Sequence, residues 1–503
     1  MRGHRRALIP CIAAVVALSS PLPADTGLDL LAAARSNNFA AVRTLLSAGA
    51  DATAQAADGA TALHWAAHWD DFSAARALVN AGALASAANR HHVTPLMLAA
   101  SNGSAEMIDL LVEAGADPNA ALPAGETALM RASRTGRQDA VRTLIGHGAT
   151  VNDRETWRGQ TALMWAAGEG HLSAVKELLR RGADIGEKSK AGFSALLFAA
   201  RQGHIDVAGA LLDAGADVND TLPKRSRRGW ASDNAPGGAL EIGASALEIA
   251  VSNAHFELAG MLLERGADPN AAGPGWTPLH TVSWVRKPGV GSNDPAPEGS
   301  GNMGSLQLVR ELVSHGADVN SRMTSATSPG KHSLDTVGAT PFLTAARTAD
   351  SELMRLLHKL GADPAIPTAK GTTPLMVAAG VGVRAPDEDA GTAEEVVEAV
   401  KLALELGGDP NAIDDDGNTA MHGAAYKHAP GAVRILVEAG AKIETWNRKN
   451  ELGWTPLRIA TGVHRGMNFR FSPQTASVIR SVMRAAGAST EIEPEAFISG
   501  AVR

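Results

Sequence analysis

The stretch TALMWAAGEGHLSAVKELLRRGAD, Thr161 to Asp184, returns 33 residues later as SALLFAARQGHIDVAGALLDAGAD, Ser194 to Asp217. A fixed period of this length means one short unit stacked on copies of itself, since so small a unit cannot bury its apolar face alone. Aligned on the Thr or Ser that opens each copy, the frame recurs at Thr61, Thr94, Thr127, Thr161, Ser194, Ser245, Thr277, Thr340, Thr373, Thr419 and Thr455. An earlier copy, DLLAAARSNNFAAVRTLLSAGAD, lacks the Thr and has its frame at Leu28, which makes twelve units.

Each unit carries the same internal chemistry. The Thr or Ser caps a helix, and a Pro after it fits the first helical turn. LMWAA or LHWAA gives a short helix, closed by a GH turn such as Gly170-His171 or Gly203-His204. In the next run Leu172, Val175, Leu178 and Leu179 share one helical face, and Gly182 supplies a left-handed stop. A polar, turn-forming finger follows, as in PNAIDDDGN, Pro410 to Asn418. Aromatics make up only 4% of the 503 residues, with Tyr426 the single tyrosine, and much of the apolar content is Ala. Small side chains let helices approach closely, which suits thin stacked layers better than one large core.

The pattern TPLHxAA, GH, LL, GADxN stands almost intact at Thr61–Ala67, Thr94–Ala100, Thr161–Asp184, Ser194–Asp217, Thr277–His280 and Thr373–Ala379. It closely resembles the ankyrin repeat, from about Leu28 to about Ser489. The resemblance implies a mainly α-helical ankyrin-repeat solenoid of helix-turn-helix units with β-hairpin-like fingers. Fingers and first helices would line a concave face, with second helices behind. It also implies a function of binding other macromolecules, usually proteins, although a scaffold does not name its partner.

In that family the exposed concave positions lie four, three and one residue before the Thr, and seven and eight after it. Five of the nine tryptophans fall there: Trp69, Trp157, Trp276, Trp284 and Trp454. Tyr426, Arg134, Arg158, Arg201, Arg347 and Lys427 join them. Trp, Tyr and Arg dominate binding hot spots. Trp276 and Trp284 flank the first helix of the Thr277 unit, and Tyr426 and Trp454 continue the row. The expected main contact is therefore the C-terminal concave surface, with amphipathic rings packed sideways between fingers as the structural alternative.

The first residues are a separate object. Arg2, Arg5 and Arg6 precede the apolar ALIPCIAAVVALSS and then PLPAD, the order of an export signal, with cleavage expected after Ala24. The apolar run is shorter than a bilayer span requires, and Pro10 interrupts it, with an uncleaved anchor as the alternative. The only cysteine, Cys11, lies inside it, so the mature chain would carry no disulfide or thiol chemistry. Loss of three arginines and no acid would take the net charge from −7 to −10, which argues against a nucleic-acid binder. The expected location is the periplasm or the extracellular space, with no membrane span after signal removal.

Departures from the period divide the chain. We expect a signal peptide over 1–24, an N-terminal capping repeat over 25–59 and regular repeats over 60–219. Repeats with long insertions would fill 220–454, with a C-terminal capping repeat and tail over 455–503. The finger before Ser245 gains 18 residues, and the one before Thr340 gains 12. The interhelical turns of the seventh, ninth and last units gain 18, 13 and 11. Long loops on a rigid frame are where function concentrates.

Candidate chemistry is sparse. His64 and His68 have zinc-compatible spacing, but His64 is the family's structural histidine and no third ligand is near in sequence. Asp414 and Gly417 of IDDDGN hint at a calcium loop, yet the family finger already reads D-x-x-G there. The basic run KRSRR, Lys224 to Arg228, fits a solvated loop tip. No nucleophile elbow or phosphate loop is present. The expectation is a non-catalytic exported scaffold without cofactor or metal, binding a partner protein through its concave face. The alternative is an enzyme or a small-ligand or glycan binder, with its site built from the C-terminal insertions.

Overall fold

The computed structural model describes residues 26–223, 243–288, 297–326, 334–383, 390–465 and 468–492. The expected signal segment 1–24, the basic run Lys224–Arg228 and the centres of several insertions lie outside the described residues. Among the described residues each of the twelve sequence frames becomes a pair of helices, with one extra helical turn at Ile443–Trp446. None of these helices is long and apolar enough to cross a membrane.

The chain divides into two compact units, Met1–Ala132 with Arg137–Thr150, and Ser133–Gly136 with Val151–Arg503. In the first unit, Thr26–Arg35 pairs with Phe39–Ser47, Ala62–His68 with Phe72–Asn80, and Pro95–Asn102 with Ala105–Glu113. In the second, the succession runs from Ala162–Gly168 with Leu172–Arg180 to Pro456–Thr461 with Pro473–Ala485. First helices pack on first helices and second helices on second, and their shared interior is Ala, Leu, Val and Met.

Three local devices explain why the period is 33 residues. The first is the cap. The hydroxyls of Thr161 and Ser194 accept the backbone N–H three residues on, at 3.3 Å each. The second is the GH turn. Gly170 and Gly203 sit at φ +78° and +77°, conformations in which a side chain is strained. A Cβ at Gly170 would also lie 2.7 Å from the ring of His204, the turn histidine of the next repeat. That ring donates from Nε2 to the carbonyl of Gly168, so each turn is buttressed by its successor.

The third device, present in about half of the fingers, is an asparagine that grips the next repeat with both ends of its amide. Asn152 Nδ2 donates to Gly182 O at 3.1 Å, while its Oδ1 accepts from Asp184 N at 2.9 Å. Asn219, Asn270 and Asn320 repeat the arrangement, as does Asn411 with Gly440 and Lys442. The fingers themselves are closed by isolated antiparallel bridges such as Ala121 to Thr127 and Thr221 to Ser245.

Two insertions acquire structure of their own. The turn of the last repeat forms a two-stranded antiparallel hairpin, Val463–Arg465 with Asn468–Arg470, where sequence reasoning expected only an elongated loop. The finger before Thr455, three residues longer than the regular frame, contains the helical turn Ile443–Trp446, which buries Trp446.

Candidate functional site

His64, His280 and His422 occupy the third helical position after Thr61, Thr277 and Thr419. Their Nδ1 atoms face the backbone N–H of those threonines at 3.1–3.2 Å, so Nδ1 must accept. Nε2 therefore carries the proton and donates to Val93 O, Ala339 O and Arg448 O, at 3.0–3.1 Å, in the finger that follows. Burial pushes His280 and His422 down to about 4 and also lowers His64. These are neutral structural clamps. With both nitrogens of His64 engaged, the His64/His68 spacing has no lone pair to offer a metal.

The finger before Thr161 is organised by one buried acid. The Glu155 carboxylate accepts the backbone N–H of Trp157, Arg158 and Gln160 at 2.6–2.9 Å. Burial alone would raise its pKa, but these hydrogen bonds and the charge of Lys190 hold it below the usual carboxylate value. The result is a rigid tip that presents Trp157, 73% exposed, with the Arg158 guanidinium 4.6 Å from the ring centroid. Arg134 is exposed and stands 5.5 Å from the Trp165 ring. Arg201, half-buried, lies 5.9 Å from Phe193, which packs against Phe198 with centroids 5.0 Å apart. Burial, and then the like charge of Arg158, lower the pKa of Arg201. Trp69 in the first unit is 45% exposed and meets the His68 ring edge-on at 4.9 Å.

The C-terminal residues expected to be exposed behave differently. Trp276 is only 6% exposed and packs edge-on against half-buried Trp284, centroids 5.9 Å apart. The physical reason lies in the next finger, where Thr324 N donates to Gly275 O at 2.8 Å and Ser325 abuts Gly275. Tyr426 is likewise 6% exposed, and its hydroxyl accepts from Asn450 Nδ2 at 2.9 Å. Lys427 donates to Ala390 O at 2.7 Å, and Trp454 and Arg347 are half-buried. The expectation of an exposed aromatic row at the C-terminal end is thus corrected at Trp276 and Tyr426, whose rings are packing elements. Sequence reasoning passed over Trp65, Trp165 and Phe198, all half-exposed. Their signal was a bulky ring at the fifth position of the frame, just before the paired alanines in LHWAA, LMWAA and LLFAA.

A cleft of about 70 Å³ lies beside Tyr426, lined among others by Asp335, Lys370, Asp414, Asp416 and Asn450. Its polar groups satisfy one another. Lys370 pairs with Asp416 at 2.9 Å, and Asp414 accepts from Thr372 Oγ1 and the backbone of Asn418. Burial raises the Asp414 pKa despite these bonds, so this carboxylate of the IDDDGN segment organises its own finger. The volume suits about five waters.

The family model described as "Ankyrin repeats (3 copies)" matches residues 30–122, 129–222 and 391–466, and the single "Ankyrin repeat" model matches 243–273 and 275–323. The chain belongs to the ankyrin-repeat family. The matched stretches leave out 324–390, where the ankyrin helix pair Pro341–Arg347 and Ser351–Lys359 nevertheless stands. The repeats are similar to those of Neurogenic locus notch homolog protein 1 from Danio rerio, 32% identical over 213 residues, 38% of this chain and 8% of that protein. They also resemble B-cell lymphoma 3 protein homolog from Mus musculus, 32% identical over 155 residues, 29% of this chain and 28% of that protein. A third likeness, to Protein fem-1 homolog A from Bos taurus, is 41% over 51 residues, 10% of this chain and 8% of that protein. The chain thus matches less than a third of the length of these relatives. Ankyrin repeats indicate a protein-interaction scaffold.

Proposed function

We propose that this ankyrin-repeat chain is a non-catalytic scaffold, exported from the cytoplasm, that binds a partner protein through its concave face. One observation carries the reading: Trp157 is 73% exposed on a finger whose backbone Glu155 fixes through the N–H groups of three residues. A large ring held in water on a rigid tip gains most when a partner covers it, and little ordering is needed first. The basic head and short apolar run of residues 1–24 support export. In the small C-terminal cleft Lys370 is paired with Asp416, and Asp414 is taken up by Thr372 and Asn418.

The test is site-specific crosslinking. A photo-crosslinking residue at position 157 should capture protein, whereas the same residue at Lys176, exposed on the second helix of the adjoining repeat, should not. Equal capture at both positions, or capture only at 176, overturns the concave-face reading. N-terminal sequencing of the chain from a fractionated cell tests export, with Asp25 expected first.

A further inference from the structure

Arg134, Arg158 and Arg201 belong to three successive repeats and lie on the finger-and-first-helix side. Each guanidinium leans on an aromatic ring at 4.6–5.9 Å. Among the described residues none of the three pairs with a carboxylate, and Arg201 has its pKa lowered by burial and then by the like charge of Arg158. Glu169, at the turn of the middle repeat, is exposed and pairs with none of them. Arginines elsewhere in this protein do find acids: Arg154 bonds Glu187, Arg265 bonds Asp213, and Arg286 bonds Asp350. An uncompensated cationic strip in a chain of net charge −7 is therefore a local arrangement, not a reflection of overall composition.

We propose that this strip docks an acidic, extended segment of the partner protein, its carboxylates on the three arginines and its apolar side chains on Trp157, Trp165 and Phe198. This rests on the protein-binding reading above. Planar guanidinium groups suit bidentate carboxylate recognition, and the rings under them hold the forks in place. Helices of neighbouring repeats lie about 10 Å apart, so Arg134 and Arg201, two repeats apart in the same register, are separated by about 20 Å. An extended chain covers that span in about six residues. The predicted recognition element is thus short, rich in Asp and Glu, and interrupted by one or two large apolar residues.

The experiment uses the full chain and three labelled probes: the peptide Glu-Glu-Leu-Glu-Glu-Leu-Glu-Glu, the same peptide with Lys for Glu, and an oligothymidylate of matched charge. Fluorescence anisotropy should show binding of the Glu peptide and none of the Lys peptide. Affinity should fall about tenfold between 50 and 300 mM salt, because the contacts are charged and solvent-facing. The triple variant R134E/R158E/R201E should lose at least about tenfold, and Arg158→Gln alone, at an exposed tip, about threefold. Arg158→Gln keeps the test valid should the triple variant unfold. Failure of the Glu peptide to bind, or binding indifferent to Arg158→Gln, overturns the proposal. Oligothymidylate binding as tight as the Glu peptide overturns it in favour of a nucleic-acid strip. Protein crosslinking from position 157 that persists without acidic-peptide binding sinks this inference and leaves the scaffold reading standing.

Discussion

The repeats at Thr161 and Ser194 and those from Thr277 to Thr419 share one frame but use it in opposite ways. In the former, the fifth and eighth positions of the frame leave Trp165, Phe198 and Arg201 part-exposed, with guanidinium charge unpaired. In the latter, the same positions are consumed internally. Thr281 donates to Glu248 at 2.5 Å, Ser283 bonds Thr344, and Trp284 closes on Trp276. Arg286 bridges Asp350 and Glu352, and Lys287 reaches Glu395. Insertions do not here advertise a surface; where they are described, they cover one. Residues 299–302 fold back on an earlier turn, with Ser300 N donating to His255 Nδ1 at 3.1 Å and Asn302 N to Glu257. The lesson is that extra chain length adds neighbours, and neighbours convert potential anchors into packing.

Acid should expose the difference most strongly. His280 and His422 have folded pKa values of about 4, against 6.5 in the unfolded chain. The unfolded state therefore binds protons first. Stability is fully present above about pH 6.5, falls as pH drops toward 4, and levels off below that. The loss is on the order of 3 kcal/mol per histidine. Amide exchange at pH 5 should rise in Pro278–Arg286 and Ala420–Tyr426 before it rises in Ala195–Gln202, whose cap uses no histidine. Uniform opening of all three helices would break the contrast.

Removing charge should act in opposite directions in the two regions. Arg286→Ala strands the buried Asp350 carboxylate and should cost about 3 kcal/mol in urea denaturation. Arg201→Met removes a cation that the fold leaves unpaired, and should change stability by less than about 0.5 kcal/mol or raise it. Equal losses would show that Arg201 has a structural role after all.

The two tryptophans sharpen the comparison further. Trp276→Ala should lower stability by about 3 kcal/mol and leave acidic-peptide binding by the folded fraction unchanged. Trp157→Ala should have the smallest effect on stability, below about 0.5 kcal/mol, while weakening partner binding by roughly 2 kcal/mol. Calorimetry and anisotropy on both variants give the four numbers required. A reversal of the pattern would return the binding face to the C-terminal repeats.

Much of this was legible beforehand. The period, the Thr and Ser caps, the GH turns and the stop glycines all rest on contacts within a repeat or between one repeat and the next. The finger asparagines are equally local, since GAD and N recur in fixed register and each Asn reaches only the following repeat. The exposure of Trp157 followed from its place in the frame. The burial of Trp276 and Tyr426 did not, although they occupy positions of the same kind. Position names a face, and whether the face is covered depends on chain that arrives from an insertion of no fixed length.

The sequence by itself determined the family, the number of helix pairs and the caps and clamps that join them, because each depends on a few residues at fixed spacing. Only the tertiary structure decided which anchors remain in water. That choice depends on contacts such as Thr324 to Gly275, Tyr426 to Asn450 and Arg286 to Asp350, whose separations do not follow the 33-residue period. It left Arg134, Arg158 and Arg201 with aromatic support and no paired carboxylate among the described residues, a property of three-dimensional neighbours that no single frame of the sequence contains.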